Sequence, residues 1–195
     1  MSGSKDGFTA VVLAGGKNSR FRGEDKAFVT VGGVPMIVRT LNQLNKIFKD
    51  ILVITNMPGK YKEYGNLRFA TDIITEAGPL GGIYSAMRNS GSPFIFVVSC
   101  DMPYLDAGII EDQIDLFCRL NDPDILIPKI NSGIEPLHGI YRTELAARLE
   151  RFLLTTKNFS IRAFMKELEV AYLDLEDSPG IRKAFSNINR PEDIP

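Results

Sequence analysis

The chain has 195 residues, of which 44% are hydrophobic, and its 23 Lys and Arg nearly balance 24 Asp and Glu for a formal net charge of −1. This length and apolar content suffice for one sizeable core, so one domain is expected. The charge balance disfavours nucleic acid as the main partner, and no apolar run approaches the roughly 20 residues that cross a bilayer. The polar N-terminal residues lack the apolar region of a signal peptide, so we expect a cytoplasmic protein with no membrane partner.

Strand-like and helix-like patterns alternate along the chain. The predicted strands cover residues 8–14, 51–55, 94–98, 124–128, 134–141 and 170–175. The predicted helices cover residues 35–48, 83–88, 109–120, 144–154 and 160–168. Uninterrupted apolar runs such as 51–55 are typical of strands buried on both faces, which occur in parallel sheets covered by helices. The alternation therefore predicts an α/β fold with a Rossmann-like doubly wound, mostly parallel sheet flanked by helices in a single domain.

The first predicted strand leads directly into Gly15 and Gly16 and then into a basic loop that ends at Lys26. Two glycines let backbone amides approach a phosphate chain, and Arg20 and Lys26 supply positive charge. The segment has neither the G-x-x-x-x-G-K-[ST] pattern nor the third glycine of G-x-G-x-x-G. The spacing indicates a nucleotide-phosphate loop of another kind, and a plain turn is the alternative.

Two further polar segments follow predicted strands, with Asn56 after 51–55 and Asp101 after 94–98. Ligands of doubly wound sheets bind outside the carboxyl ends of the strands, so all three segments are expected to face one crevice. A carboxylate on the phosphate side is suited to hold Mg²⁺, which neutralises a triphosphate. The alternative for Asp101 is a turn or helix N-cap. Cys100 and Cys118 lack metal-ligand spacing and are expected to be small buried apolar side chains.

Five sequence blocks in order carry a family resemblance. They are Leu13-Ala-Gly-Gly16 with Arg20 and Asp25-Lys26, Gly78-Pro-Leu-Gly-Gly82, Ser99-Cys-Asp-Met-Pro103, Pro136-Leu-His-Gly139 and Phe185-Ser-Asn-Ile-Asn-Arg-Pro-Glu-Asp193. With these blocks the chain resembles the molybdenum cofactor guanylyltransferases over nearly its whole length. The resemblance implies a Mg²⁺-dependent enzyme that transfers GMP from GTP to the phosphate of molybdopterin and releases pyrophosphate. The residues that it implies for nucleotide and metal binding are Leu13, Ala14, Gly15, Lys26, Asn56, Asp72 and Asp101.

This chemistry needs few catalytic side chains. A phosphate monoester nucleophile has a second pKa near 6 and is largely ionised at neutral pH, so no general base is required and His138 receives no catalytic role. The expected sources of catalysis are the positioning of the two substrates and the electrostatic stabilisation of charge on the phosphates. We expect Asp101 to hold Mg²⁺, and Lys26 and Arg20 to offset charge on the phosphates. The backbone amides expected to hold the phosphate chain are those of Ala14, Gly15 and Gly16.

Other roles are open at the level of sequence. Asn187 and Asn189 either contact the second substrate or form Asx turns. Guanine presents N1–H and 2-amino donors, for which Asp72 and the carbonyls of 78–80 are candidate acceptors. The alternative functions are a molybdopterin cytidylyltransferase, a sugar-phosphate nucleotidyltransferase, and a GTP-binding module in cofactor delivery. Cytidylyltransferases carry L-A-A-G in place of Leu13-Ala14-Gly15-Gly16 and lack G-P-L-G-G, which favours guanine.

The remaining expectations concern the organisation of the chain. Residues 1–7 are expected to be a flexible or disordered segment before a single nucleotidyltransferase domain at 8–195. The resemblance implies a monomer with transient contacts to molybdopterin-synthesis or molybdoenzyme-maturation proteins. The chain departs from the family at Arg22, where relatives have glycine. Because arginine adopts positive φ only at a penalty, the tip of the loop is expected to form a different turn, with the Arg22 side chain in solvent. The alternative for Arg22 is a further contact to phosphate.

Overall fold

A computed structural model describes residues 5–15, 26–65, 67–131 and 133–194 of the chain. In chain order, its strands are β1 (Phe8–Leu13), β2 (Thr30–Val31), β3 (Val34–Pro35), β4 (Ile51–Ile54), β5 (Arg68–Ala70), β6 (Phe94–Ser99), β7 (Ile125–Ile130), β8 (Gly133–Ile134), β9 (His138–Arg142) and β10 (Val170–Asp174). Its α-helices are α1 (Met36–Leu44), α2 (Gly78–Asn89), α3 (Ala107–Arg119), α4 (Ala146–Thr155), α5 (Ile161–Met165) and α6 (Pro179–Ala184). None of the described helices is long and apolar enough to span a membrane.

One mixed sheet organises the molecule, and β2 and β3 form a separate hairpin. The strand order in the sheet is β10-β7-β9-β6-β1-β4-β5, and β8 pairs with β7. Strands β5, β4, β1 and β6 are parallel to one another, and β7 is parallel to β10. Strand β9 runs antiparallel between β6 and β7, so these two strands point the same way. The carboxyl ends of β4, β1, β6 and β7 therefore lie at one edge of the sheet.

Helices cover both faces of this sheet, because its central strands are apolar at nearly every position and have no polar face. In β1, Ala10 and Val12 pack in a cluster with buried residues of α1, α3 and α6. Val11 and Leu13 belong to a second cluster with α2, α4 and α5. Strands with no polar face are stable only between two apolar layers. The predicted fold, a doubly wound and mostly parallel α/β sheet, is thus confirmed.

Helix α2 begins earlier than the predicted start at residue 83. It starts at Gly78 and includes the whole Gly-Pro-Leu-Gly-Gly block. Pro79 is tolerated because N–H groups in the first turn of a helix have no intrahelical acceptor, so the missing N–H of proline costs no hydrogen bond. A Cβ on Gly81 would lie 2.6 Å from the carbonyl oxygen of Ile74, and one on Gly82 would lie 3.0 Å from Leu13 Cδ2. These glycines allow close packing inside a helix and do not mark its boundary.

The predicted strand at 134–141 is wrong in extent, because the structure divides it into β8 and β9. Between them the chain turns, with the N–H of Glu135 donating to the carbonyl of Pro128 and the N–H of His138 donating to that of Glu135. Pro136 lacks an N–H for a ladder, which favours a turn there. The expectation for the cysteines is half correct, since Cys100 is buried and Cys118 is exposed. At the start of the described chain, Lys5–Gly7 form a 3₁₀ turn.

Candidate active site

A cavity of about 550 Å³ opens at the carboxyl edge of the sheet. Its wall includes Leu13 and Gly15 after β1, Asn56 after β4, and Ser99 at the end of β6. The first turn of α2, with Gly78 and Pro79, and the preceding loop from Asp72 form another part of the wall. The start of the glycine loop, Asn56 and the end of β6 thus meet at one crevice, as the position of strand ends in such a sheet requires. Asp101, two residues after Ser99, is not among the lining residues.

Asn56 and Asp72 form a reciprocal pair inside this cavity. The side-chain amide of Asn56 donates to Asp72 Oδ2 at 3.3 Å, and the backbone N–H of Asp72 donates to Asn56 Oδ1 at 3.3 Å. A Cβ on Gly15 would lie 3.8 Å from Asp72 Oδ2, and one on Gly82 would lie 3.8 Å from Asp72 Oδ1. The carboxylate of Asp72 therefore lies between the end of β1 and the first turns of α2.

A charged cluster is formed by Lys26, Asp101 and Asn189. Lys26, from the short 3₁₀ turn Lys26–Phe28, places Nζ 2.7 Å from Asp101 Oδ2 and 2.9 Å from Asn189 Oδ1. The side chains of Lys26 and Asp101 are 20% and 19% exposed, so the pair is reachable from solvent. Three residues predicted from separate sequence blocks are brought together here.

The backbone around Asp101 is fixed from two sides. The N–H of Cys100 donates to the carbonyl of Leu13 at 3.1 Å, and the N–H of Ile188 donates to the carbonyl of Asp101 at 2.9 Å. Asp101 Oδ1 is buried and has no hydrogen-bond partner within the described part of the chain. The N-cap of α3 is Asp106, whose Oδ1 accepts from the N–H groups of Gly108 and Ile109. The helix N-cap alternative for Asp101 is therefore wrong.

The C-terminal segment holds Asn189 in place. Ile188 is buried in a small cluster with Val31 and Met36, which belong to the β2–β3 hairpin and the start of α1. The N–H groups of Asn189 and Arg190 donate to Asp193 Oδ2, and these two hydrogen bonds hold the pKa of the Asp193 carboxyl below its usual value. Asn187, on the other side of Ile188, is exposed. Of the two asparagines, only Asn189 contacts the described residues of the charged cluster.

His138 lies in the core and does not line the cavity. Its imidazole packs edge-on against Phe96 and Phe185, with ring centroids 5.2 and 4.9 Å away. Burial lowers its pKa from 6.5 to about 4. Neither ring nitrogen has a hydrogen-bond partner among the residues described. The imidazole is therefore neutral at neutral pH.

Several residues near the cavity carry no sequence signal. Thr75 and Glu76 line it, although neither belongs to any of the five sequence blocks, and Leu137 lines it from the Pro136-Leu-His-Gly139 block. Glu135 is a half-buried acid in the turn before β9, where burial raises the pKa of its carboxyl, the positive charge of Arg162 lowers it, and the negative charge of Asp101 raises it. Sequence patterns could not have identified Glu76, because its distinguishing feature is a backbone φ of 64°. Conversely, predicted residues Gly16, Arg20 and Arg22 lie outside the described residues.

Together, the fold and the site define a nucleotidyltransferase of the α/β class, with its ligand cavity at the carboxyl edge of a doubly wound sheet. Residues 10–171 match the model of the MobA-like NTP transferase domain. The chain belongs to this family.

Similar proteins cover almost the entire chain. A probable molybdenum cofactor guanylyltransferase of Clostridium perfringens is 33% identical over 189 residues, which are 93% of this chain and 91% of that relative. A molybdenum cofactor guanylyltransferase of Vibrio vulnificus is 29% identical, over 94% of this chain and 91% of the relative. The crystal structure of molybdopterin-guanine dinucleotide biosynthesis protein A from Archaeoglobus fulgidus matches with a TM-score of 0.78 and 26% identity, covering 95% of this chain and 94% of that chain.

Proposed function

We propose that the protein transfers GMP from GTP to the phosphate of molybdopterin, forming the guanine dinucleotide cofactor and pyrophosphate with the help of Mg²⁺. The carrying observation is the charged cluster of Lys26, Asp101 and Asn189 at the same sheet edge as a cavity lined by Asn56 and Asp72. Relatives that match 93% and 94% of the chain bear the name of this activity.

The cavity suits the nucleoside part of GTP. At about 550 Å³ it lies in the usual range of small-molecule sites. The backbone from Leu13 to Gly15 offers peptide groups at its wall, and Asn56 and Asp72 offer amide and carboxylate groups. We assign the base and ribose to this cavity and the phosphates to the adjoining charged cluster, with Gly16 and Arg20 as further proposed contacts to the phosphates.

Asp101 has the features of a Mg²⁺ ligand. Mg²⁺ is bound through one or two carboxylates together with substrate phosphates and water. A buried carboxylate oxygen without a partner is costly, and Asp101 Oδ1 is such an atom among the described residues. The same residues contain no group of three or more acids, His or Cys that could hold a metal by themselves. When bound, Mg²⁺ supplies charge neutralisation on the phosphates.

The remaining catalytic work in this proposal is electrostatic. An oxygen of the molybdopterin phosphate attacks the α-phosphorus of GTP, and the bond from that phosphorus to the pyrophosphate oxygen breaks. Lys26 stabilises negative charge on the phosphates, and Asn189 orients its ammonium group. No side chain has to remove a proton, because the attacking phosphate is already ionised. Asn187 and Asn189 are proposed to contact molybdopterin as well.

The test is a transfer assay with molybdopterin, Mg²⁺ and α-labelled GTP or CTP. We expect the label from GTP in the dinucleotide product, equimolar pyrophosphate, and no transfer without Mg²⁺. Transfer of CMP in preference to GMP would replace the proposal with a cytidylyltransferase. Binding of GTP without any transfer would reduce the protein to a nucleotide-binding module.

A further inference from the structure

The side chains that line the cavity carry hydrogen-bond acceptors and no positive charge. Asp72 and Glu76 contribute two carboxylates, and Asn56, Thr75 and Ser99 contribute the other polar side chains. No Lys, Arg or His is among the described residues of the wall. Carboxylates repel phosphates and attract neutral donor groups. The cavity is therefore matched to a base that is rich in N–H donors.

The two carboxylates differ in how they are engaged by the protein. Asp72 is paired with Asn56 through two hydrogen bonds of 3.3 Å. Glu76 makes no hydrogen bond or ion pair with any residue that the structure describes, although it stands in the wall of the cavity. Its backbone has a φ of 64°, which a residue with a Cβ adopts at an energetic cost. Contacts among the described residues thus give no account of a glutamate at this position.

We propose that Glu76 is a specificity-determining residue, whose carboxylate accepts hydrogen bonds from N1–H and the 2-amino group of guanine. This inference rests on the proposed function, in which GTP is the donor nucleotide. Guanine presents two adjacent donors, and these match the two oxygens of a carboxylate.

The same carboxylate disfavours the other bases. Cytosine and adenine each present one amino group beside a ring nitrogen that is an acceptor. A carboxylate opposite that edge gains one hydrogen bond and faces one repulsive pair of acceptors. A site built to hydrogen-bond a donor also rejects an analogue that lacks it, because its own acceptor is then left unpaired. Discrimination by Glu76 combines attraction for guanine with repulsion of cytosine.

The experiment measures the binding of GTP, ITP and CTP by calorimetry to the wild type and two variants at Glu76. ITP keeps N1–H and lacks the 2-amino group, so the ratio of GTP to ITP affinity reports the contact directly. Glu76→Gln keeps the size of the side chain and removes its charge. Glu76→Gly removes the side chain together with the cost of its positive φ, so this variant is expected to melt no lower than the wild type.

We expect the wild type to bind GTP on the order of tenfold more tightly than ITP, and both variants to bind the two nucleotides within about twofold of each other. Glu63→Gln is the matched control: it changes the net charge equally on an exposed residue outside the cavity, and its GTP to ITP ratio is expected to equal that of the wild type.

Two results are decisive against the inference. If both Glu76 variants keep the wild-type ratio of GTP to ITP affinity, Glu76 does not read the base, and the proposed function is untouched. If the wild type itself fails to prefer GTP to CTP, the proposed function and the inference both fail.

Discussion

The two carboxylate oxygens of Asp101 have different surroundings. One oxygen is neutralised by Lys26 at 2.7 Å, and the other is buried without a partner among the described residues. A buried oxygen without a partner would not stabilise an ion pair whose role is purely structural, because an unpaired buried acceptor costs free energy. At the scale of single residues, Asp101 therefore has one carboxylate oxygen that no described residue satisfies, and the proposed Mg²⁺ site would use this oxygen.

Substituting Asp101 with Asn tests this organisation. Asp101→Asn keeps the size of the side chain and removes its charge, so GMP transfer should fall at least about 100-fold. Asp106→Asn is a suitable control, because Asp106 caps α3 only a few residues away and Asn is an equally good N-cap. Transfer by Asp101→Asn at the wild-type rate, measured in the same Mg²⁺ concentration, would remove Asp101 from the mechanism.

The pairing of Lys26 with Asp101 leads to a second prediction, which concerns metal binding without nucleotide. Lys26→Met removes the positive charge next to Asp101 Oδ2, so the carboxylate becomes a better cation ligand. We expect the variant to bind Mn²⁺ about fivefold more tightly than the wild type in the absence of GTP, and to transfer GMP more slowly.

The readout for this prediction is the electron paramagnetic resonance signal of free Mn²⁺ during titration. Lys60→Met provides the control, since it removes one exposed lysine from the turn Pro58–Tyr64 and leaves the charged cluster intact. Equal Mn²⁺ affinity in the wild type and both variants would show that Lys26 does not compete with the cation.

At the scale of elements, the start of α2 is the most constrained feature. The helix approaches the loop before it so closely that Gly81 has no space for a Cβ in its present position, and at Gly82 the side chain of Leu13 would have to shift. Since Gly78, Pro79 and Gly82 also line the cavity, this packing sets the position of one cavity wall. Glycine usually lowers the stability of a helix. In α2, Gly81 and Gly82 let the helix pack closely against the loop before it and against the end of β1.

Gly81→Ala is expected to destabilise the protein by about 1–3 kcal/mol, because its Cβ would meet the backbone carbonyl of Ile74 at 2.6 Å. A backbone atom cannot rotate away, so the helix or the loop must shift. Gly91→Ala is the matched control, since a Cβ there meets nothing within 4 Å. Chemical denaturation of both variants gives the two free energies of unfolding, and equal values would contradict the packing account.

The elements that sequence patterns predict best are those buried between two layers. Strands β1, β4 and β6 could be predicted from their apolar runs, because such runs are compatible only with strands that are buried on both faces of a sheet. The start of α2 at Gly78 could not be predicted, since Gly and Pro mark turns in most contexts. Only the close approach of α2 to Ile74 explains the glycines here. Strand β5 and helix α6 are too short for their periodicity to stand out.

The candidate site was predictable to a similar degree. Asp101 and Lys26 could be identified because each belongs to a block with a recognisable chemistry, Asn56 because it follows a predicted buried strand, and Asp72 only from the family resemblance. Glu76 could not, because its position depends on a turn conformation that no pattern of side chains specifies. The pairing of Asn189 with Lys26 was equally out of reach, since the two residues are 163 positions apart.

At the scale of the whole molecule, one buried titratable group among the described residues has a pKa that is lowered strongly. His138 is fully buried and its folded-state pKa is about 4, compared with 6.5 in the unfolded chain. Between these two values the unfolded state binds a proton that the folded state does not. The contribution of His138 to stability is therefore complete above pH 6.5 and is lost as the pH falls towards 4.

His138→Phe should flatten the dependence of stability on pH in this window. The variant retains an aromatic ring against Phe96 and Phe185 and has no titrating nitrogen. From pH 6.5 to 4 the wild type should lose about 3 kcal/mol more than the variant. Denaturant unfolding at several pH values measures both curves. Parallel curves would mean that His138 titrates in the folded state at its ordinary pKa.

The long separation between Lys26 and Asn189 also has a consequence for synthesis. The strands β1, β4 and β6, whose ends contribute to the cavity wall, lie within residues 8–99, while Ile188 and Asn189 come almost 90 positions later. A chain synthesised only as far as β6 lacks Leu137 of the cavity wall and Asn189 of the charged cluster. The charged cluster can therefore be completed only after Ile188 and Asn189 have been synthesised and have packed against Val31 and Met36.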